Sequence, residues 1–514
     1  MNRQCVSSWI VLLGCIWWPD LIWAGDHADQ PSRNSRPNII VILVDDLGVM
    51  DSSVPFLVDA TGQPQRFPLN DLYRTPNLEQ LASRGIRFSQ FLAMSVCSPT
   101  RLSLLTGQNA ARHGTTNWIN PTANNRGKRG PSDWNWEGLR SGSISLPQLL
   151  RSAEYRTIHV GKGHLGPVGS EGEDPARVGF DVNIGGSAIG QPGSYYGLKQ
   201  FGQGGTHPVP HLDAYHNHDV FLTEALTREA LLQIDHAVEA KQPFFLSLCH
   251  YAVHAPFQAD ARFSADYEQS GKSQQAQAFA TLVAGVDHSL GTLLHHLEDR
   301  GIAEQTLIFF LGDNGSDAPL GETHAVACAA PLRGKKGTHY EGGMRAPLMV
   351  AWAKPNPAQL CQQHLPIQSN SVRTQLTTVC DLFPTILDVA GIEKPSDHPI
   401  DGASIRSLLA GDSQAVGATG FLVHFPHEHR SSYFTTYRTE SWKVIYHYFP
   451  GPESNGQRYE LYDMKSDPYE SRNLAAEQSD TLRTMMRELL AQLQSLGARY
   501  PQNELGEPLQ PIIP

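Results

Sequence analysis

The feature that most constrains the fold is Asn38-Ile39-Ile40-Val41-Ile42-Leu43-Val44, a nearly continuous apolar run that stops at Asp45-Asp46-Leu47-Gly48. A strand with one wet face alternates, whereas a strand covered on both faces does not, so this run predicts a central strand of a parallel sheet. Three further stretches end the same way. Tyr155 to Val160 runs into Gly161-Lys162-Gly163-His164-Leu165-Gly166, and Phe244 to Leu248 into Cys249-His250-Tyr251-Ala252-Val253-His254-Ala255-Pro256. Thr306 to Leu311 runs into Gly312-Asp313-Asn314-Gly315. Between the last two, Leu282, Val283, Val286, Leu290, Leu293, Leu294 and Leu297 fall at helical spacing within Gln274 to Arg300, and Gly301 stops the helix. Strand, helix and strand in that order imply right-handed crossovers and one mostly parallel sheet with helices on its faces. The polar strand ends then share one edge, where open α/β sheets place their ligands.

The residues gathered at that edge define its chemistry. Asp45, Asp46, Asp313 and Asn314 are hard oxygen donors, a set that suits Ca²⁺ or Mg²⁺ and disfavours zinc. Arg101, Lys162, Lys336, His164 and His254 are cationic or cationisable, as an anionic substrate requires, and histidine also moves protons near neutral pH.

Beside them the sequence places Cys97-Ser98-Pro99-Thr100-Arg101, followed by Leu102-Ser103-Leu104-Leu105-Thr106-Gly107. Ser98 suits an N-cap, Pro99 a first helical position and Gly107 a C-terminal stop. A thiol at that helix mouth, with Arg101 one turn away, is expected to have a lowered pKa. Residues 331–347 (Pro-Leu-Arg-Gly-Lys-Lys-Gly-Thr-His-Tyr-Glu-Gly-Gly-Met-Arg-Ala-Pro) form a basic, glycine-rich loop.

Taken together these motifs resemble the type I, formylglycine-dependent sulfatases. The resemblance rests on Asp45-Asp46, Cys97-x-Pro99-x-Arg101 with Leu105-Thr106-Gly107, Gly161-Lys162-x-His164-Leu165-Gly166 and His254-Ala255-Pro256-Phe257. It continues through Asp313-Asn314-Gly315, the 331–347 loop, Asp381-Leu382-Phe383-Pro384-Thr385, Glu460-Leu461-Tyr462-Asp463 and Asp467-Pro468, in family order. It implies an alkaline-phosphatase-like α/β fold and a sulfuric ester hydrolase. Cys97 would be oxidised to Cα-formylglycine by a maturation enzyme and, in that form, would hold one Ca²⁺ together with Asp45, Asp46, Asp313 and Asn314. Arg101 and Lys162 would hold the hydrated aldehyde and Lys336 the sulfate, with Lys335 the alternative if the register slips. His254 would protonate the departing alcohol, and His164 would take the proton that lets sulfate leave. Gly163 stands where the family usually has tryptophan, which would open space beside His164, and Gln108 where arginine is common. A phosphonate or phosphodiester hydrolase of the same superfamily, or an unmodified sugar-binding relative, is the alternative reading.

Composition bounds the rest. A chain of 514 residues with 40% apolar content supports one large domain and a smaller one, and a net charge of −11 argues against a nucleic-acid binder. Residues 1–24 read as a secretory signal, with Arg3, an apolar run from Val6 to Trp18 and a cleavage point after Ala24. Export follows; Leu12-Leu13-Gly14-Cys15 loosely resembles a lipoprotein box, and no later run is long enough to span a membrane. Which of Cys249, Cys328, Cys361 and Cys380 pair, if any, is open. Residues 25–414 are expected to form the catalytic domain and 415–514 a C-terminal subdomain. There Ser432 to Tyr437 pairs with Trp442 to Tyr448, Tyr459 to Tyr462 adds a strand, and a helix capped by Ser479 or Asp480 follows. Asp287 reads as structural, and His295 and His296 as surface residues. The aromatic loops 115–142 (Trp118, Trp134, Trp136) and 166–218 (Tyr195, Tyr196, His207, His211, His216, His218) and the loop His424–Arg430 are expected to face a sulfated carbohydrate, of galactose or N-acetylgalactosamine type. His427-x-His429 could alternatively bind a metal.

Overall fold

A computed structural model describes Met1 and residues 36–514 apart from Ser141 and Ser413. The expected signal at residues 1–24 lies outside the described residues except for Met1.

Asn38–Val44 forms the expected central strand, and its residues divide strictly by parity. Ile40, Ile42 and Val44 enter the core on one face, with Leu282, Val286 and Leu290 of the helix Gln274–Asp299. Ile39, Val41 and Leu43 enter the core on the other, with Leu102 and Leu105 of the cysteine helix and with Phe383 and Ile386. Burial on both sides, about 1.5–3 kcal/mol per large apolar side chain, is why this run could not alternate.

Eight strands form the main sheet, in the order Val182–Ile184, Arg156–Gly161, Phe244–His250, Asn38–Val44, Thr306–Gly312, Leu348–Trp352, Gly85–Phe88, Ser371–Arg373. Leu348–Trp352 alone runs against the others, so the sheet is mostly parallel. The four strands anticipated from the sequence are adjacent, and their carboxyl ends do share one edge. The second runs over Arg156–Gly161, one residue later than expected. Asp45 binds the end of the neighbouring strand in both directions, with its N–H on Ala252 O at 3.0 Å and its carbonyl accepting Val253 N–H at 2.7 Å.

Beyond residue 420 the strands Phe421–Phe425, Phe434–Arg438, Trp442–His447 and Tyr459–Asp463 form an antiparallel meander. The helix Ser479–Ser495 packs Leu482, Met486, Leu489 and Leu493 onto it. Its N-cap is Gln478, which makes no side-chain cap, rather than Ser479 or Asp480. Asp287 is structural: its carboxylate accepts Asn77 N–H, Leu78 N–H and Asn77 Nδ2, at 3.3, 2.8 and 2.7 Å, and so caps the helix Pro76–Arg84. His295 is exposed, while His296 is half-buried against Asp235 at 2.8 Å. Cys97, Cys249, Cys328, Cys361 and Cys380 are all free thiols. Among the described residues no helix is long and apolar enough to cross a membrane.

Candidate active site

The cysteine helix spans Cys97–Thr106 and ends at Gly107, whose φ of 69° gives the left-handed cap expected of glycine. It starts two residues earlier than anticipated. Val96 is the extended N-cap residue, and Ser98 lies within the first turn, where its Oγ accepts Ile119 N–H at 3.1 Å. The whole helix is buried. Burial pushes the Cys97 thiol up, against the opposing pull of Lys162 and Lys336, so the expectation of a lowered pKa fails because desolvation outweighs the cations.

Cys97 Sγ lies 3.4 Å from His164 Nδ1, and His164 Nε2 lies 2.6 Å from Ile119 O. A carbonyl can only accept, so Nε2 carries the proton and Nδ1 presents its lone pair to residue 97. Burial, reinforced by Lys162, holds the ring well below the usual histidine range and keeps it neutral. His164 sits at φ 55° and Asp46 at φ 62°, so two site residues occupy the left-handed region.

Around Cys97 three carboxylates meet three fixed cations. Lys162 Nζ is 2.7 Å from Asp45 Oδ2, and Lys336 Nζ is 2.6 and 2.8 Å from the two oxygens of Asp46. Arg101 places Nε and Nη2 on Asp313 Oδ2 at 3.0 and 2.8 Å and Nη1 on Lys162 O at 3.0 Å. What Arg101 grips here is therefore Asp313 and the lysine backbone. Burial opposes ionisation of Asp46, but Lys336, His254 and Lys162 prevail and hold it well below the usual range. Asp313 is raised by burial and by Asp45, against Arg101 and Lys162. His254 directs Nε2 at Asp46 Oδ2 across 3.6 Å and bonds Ala255 O through Nδ1 at 2.8 Å. Burial and Lys336 lower it to about 4, with Asp46 pulling the other way.

The donor set fits a hard divalent cation. Ligand oxygens of Asp45, Asp46 and Asp313 lie within 4.8 Å of one another, and Asp45 Oδ1 and Asn314 Oδ1 are buried without a hydrogen-bond partner. Three carboxylates and three cations sum to zero, so a dication would leave the pocket positive toward an anion.

The surroundings modify several expectations. Lys336 is held from three sides: its N–H binds Ser316 O at 2.9 Å, Gly337 N–H binds Ser95 O at 2.8 Å, and Ser431 N–H binds Gly337 O at 3.0 Å. Lys335 instead faces Asp317 at 3.6 Å, so the register that selects Lys336 stands. Gly163 does not open space, because a Cβ there would meet Ser187 O at 3.0 Å and Pro175 Cγ at 3.2 Å. The 175–187 segment fills the position. Tyr195 is fully buried, and its hydroxyl holds the carbonyls of Tyr251 and His254 at 2.8 and 2.7 Å, so it supports the His254 turn instead of facing outward. Both ring nitrogens of His427 are engaged, Nε2 with Thr116 Oγ1 at 2.8 Å and Nδ1 with Arg126 O at 2.9 Å, so it does not pair with His429 on a metal. His429 packs on Gly337 and lies 6.5 Å from the Trp118 ring, while Arg430 grips Asp317. Trp134 and Trp136 spend their N–H groups on Asn124 and Asn120 within their own loop.

Comparison with known proteins agrees with this geometry. The Sulfatase family model matches residues 37–392, and the model for the C-terminal part of N-sulphoglucosamine sulphohydrolase matches residues 335–496. N-acetylgalactosamine-6-sulfatase of Mus musculus is 32% identical over 395 residues, 73% of this chain and 66% of that protein, so the match spans about two thirds of that relative's length. A sulfatase of Formosa agariphila is 28% identical over 531 residues, covering 91% and 89% of the two chains. The crystal structure of Ps i-CgsB shares the fold, with a TM-score of 0.68 at 24% identity over 89% of this chain and 93% of that one. The matched region carries the cysteine helix, the acidic strand ends and the lysine loop together, and this chain belongs to the sulfatase family.

Proposed function

We propose that the protein hydrolyses sulfate esters of carbohydrates, and that the observation carrying this reading is the lone pair of His164 Nδ1 aimed at Cys97 inside a ring of balanced charge. Cys97, converted to formylglycine by a maturation enzyme, supplies a hydrated aldehyde oxygen as nucleophile, and a calcium ion on Asp45, Asp46, Asp313 and Asn314 supplies positive charge against the sulfate oxygens.

The chain's own groups divide the remaining work. His164 accepts a proton at Nδ1 from the group at position 97, its orientation fixed by Ile119 O. Lys336 has three N–H donors, of which the two oxygens of Asp46 take two, leaving one for a sulfate oxygen. Lys162, bonded to Asp45, keeps donors for the oxygen at position 97. Arg101 orients Asp313 and Lys162. His254 holds Nδ1–H on Ala255 O, so Nε2 is the atom that exchanges a proton with the departing alcohol. Burial is the main reason His254 is neutral, and an anion beside Lys336 offsets the second, that lysine's repulsion, which favours the protonated, acidic form.

His429, packed on Gly337 next to Lys336 and 6.5 Å from the Trp118 ring, suits contact with a sugar ring, of galactose or N-acetylgalactosamine type; the relatives' description as N-acetylgalactosamine-6-sulfatase supports that choice. We assign residues 25–414 to the catalytic domain, 415–514 to the C-terminal subdomain and residues 1–24 to an export signal. The test is sulfate release by the matured protein from a panel of sulfated saccharides, alongside an aryl sulfate and an aryl phosphodiester. Release from a sulfated galactose or N-acetylgalactosamine is expected. Turnover of the phosphodiester alone would overturn the assignment.

A further inference from the structure

A second cluster of metal-binding side chains lies outside this pocket, where the C-terminal sheet meets the loop that carries Lys336. Lys443, Ile445 and His447 share one face of Trp442–His447 with Glu460 and Tyr462 of the adjacent strand. That face packs on His339 and Tyr340 of the loop. One ligand atom from each of His339, His447 and Glu460 lies within 4.8 Å of the other two. Glu460 Oε1 is 2.7 Å from His447 Nε2 and 3.6 Å from His339 Nε2.

His339 is fully buried, and neither of its ring nitrogens has a hydrogen-bond partner. Buried imidazole nitrogens are nearly always satisfied, so a ring with both orphaned, whose Nε2 stands 3.6 Å from a carboxylate–histidine pair, points to a missing ligand. The outer contacts are already complete. Tyr340 donates to Glu460 Oε2 at 3.2 Å and Tyr462 donates to the same oxygen, which leaves Oε1 for the histidines. The nearby cations are engaged: Lys443 lies between Glu341 and Glu470 at 3.2 and 2.6 Å, and Arg333 stacks 3.9 Å over the Tyr340 ring.

We propose that His339, His447 and Glu460 form a second metal site, one that binds zinc and pins the C-terminal sheet to the Lys336 loop. Two imidazoles and a carboxylate suit zinc, whereas the all-oxygen set beside Cys97 suits calcium, so the two sites would sort the two ions by donor chemistry. The three residues are positioning residues, because none touches the reacting groups; they act on Lys336, three residues before His339.

The test is a zinc titration of the calcium-saturated full chain, read by metal content after dialysis, by X-ray absorption at the zinc edge and by Tm. About one zinc per chain with only nitrogen and oxygen in its first shell, and a higher Tm, is expected. Zinc should be lost in His339→Phe and kept in Cys97→Ser. The proposal is overturned if the wild-type chain takes up no zinc, if sulfur appears in the shell, or if His339→Phe retains the ion. The wild-type stoichiometry and spectrum decide the matter even if the variant does not fold.

Discussion

His164→Gln separates the two jobs of one ring. A glutamine amide nitrogen reaches roughly the place of imidazole Nε2 and keeps a donor for Ile119 O, now at 2.6 Å from the ring. Nothing replaces Nδ1, which stands 3.4 Å from Cys97 Sγ. A positioned base is worth about 10²–10⁴ in rate, or about 3–5 kcal/mol of barrier. Because the side chain touches neither Lys336 nor the mouth of the pocket, kcat should fall by that factor while KM stays within about threefold. The loss of a few buried ring atoms should cost only about 1 kcal/mol of stability. His164→Asn is the control, since its shorter amide abandons the buried Ile119 carbonyl and should cost a further 1–3 kcal/mol or so. The assay is steady-state release of inorganic sulfate by the matured enzyme, with urea unfolding of each variant. A folded His164→Gln enzyme within fivefold of wild-type kcat would refute the role given to Nδ1.

Three further outcomes follow from specific contacts. Burial raises the Asp287 carboxyl to about 6 against the bonds from Leu78 and Asn77. The folded state therefore holds this proton longer than the unfolded chain, so the group's contribution to stability is full below about pH 4 and is lost as pH rises through about 6. In urea unfolding, Asp287→Asn should remove about 3 kcal/mol of that slope, and parallel pH curves for the two proteins would contradict it. Gly163→Trp should destabilise by more than about 3 kcal/mol, since the indole must displace Ser187 and Pro175, whereas Gly163→Ala should cost about 1 kcal/mol; a Tm for the Trp variant equal to wild type would show that the 175–187 segment yields. Calcium added to chelated protein should restore activity and raise stability by about 2.7 kcal/mol at a hundredfold excess over its Kd. An unchanged Tm across millimolar calcium would count against the acidic cluster as its site.

The sheet and the convergence of its polar ends were legible because burial on both faces leaves an unbroken apolar run, visible at Asn38–Val44 without any partner being known. The helix Gln274–Asp299 was legible for a related reason, its length giving the 3.6-residue period many repeats. Three outer strands, Gly85–Phe88, Val182–Ile184 and Ser371–Arg373, were not, because three or four residues carry no period. Phe421–Phe425 went unmarked although its hairpin partner was found. Residue types predicted which groups gather, but their roles depend on what each atom meets. His427 and Tyr195 serve as scaffold because carbonyls and a hydroxyl happen to lie beside them. The N-cap lies at Val96 instead of Ser98, and the thiol pKa is raised instead of lowered, because tertiary burial overrides local capping and the helix dipole. Gly163 implies vacated space in the sequence alone, but the distant 175–187 segment occupies it.

The most direct test is the mass of the peptide containing Cys97, from protein produced together with a formylglycine-generating enzyme. A peptide lighter by about 18 Da than the cysteine form, from protein that also releases sulfate, is the expected result. An intact thiol in protein that nonetheless turns over sulfate esters at full rate would contradict the assignment of residue 97 as the source of the nucleophile.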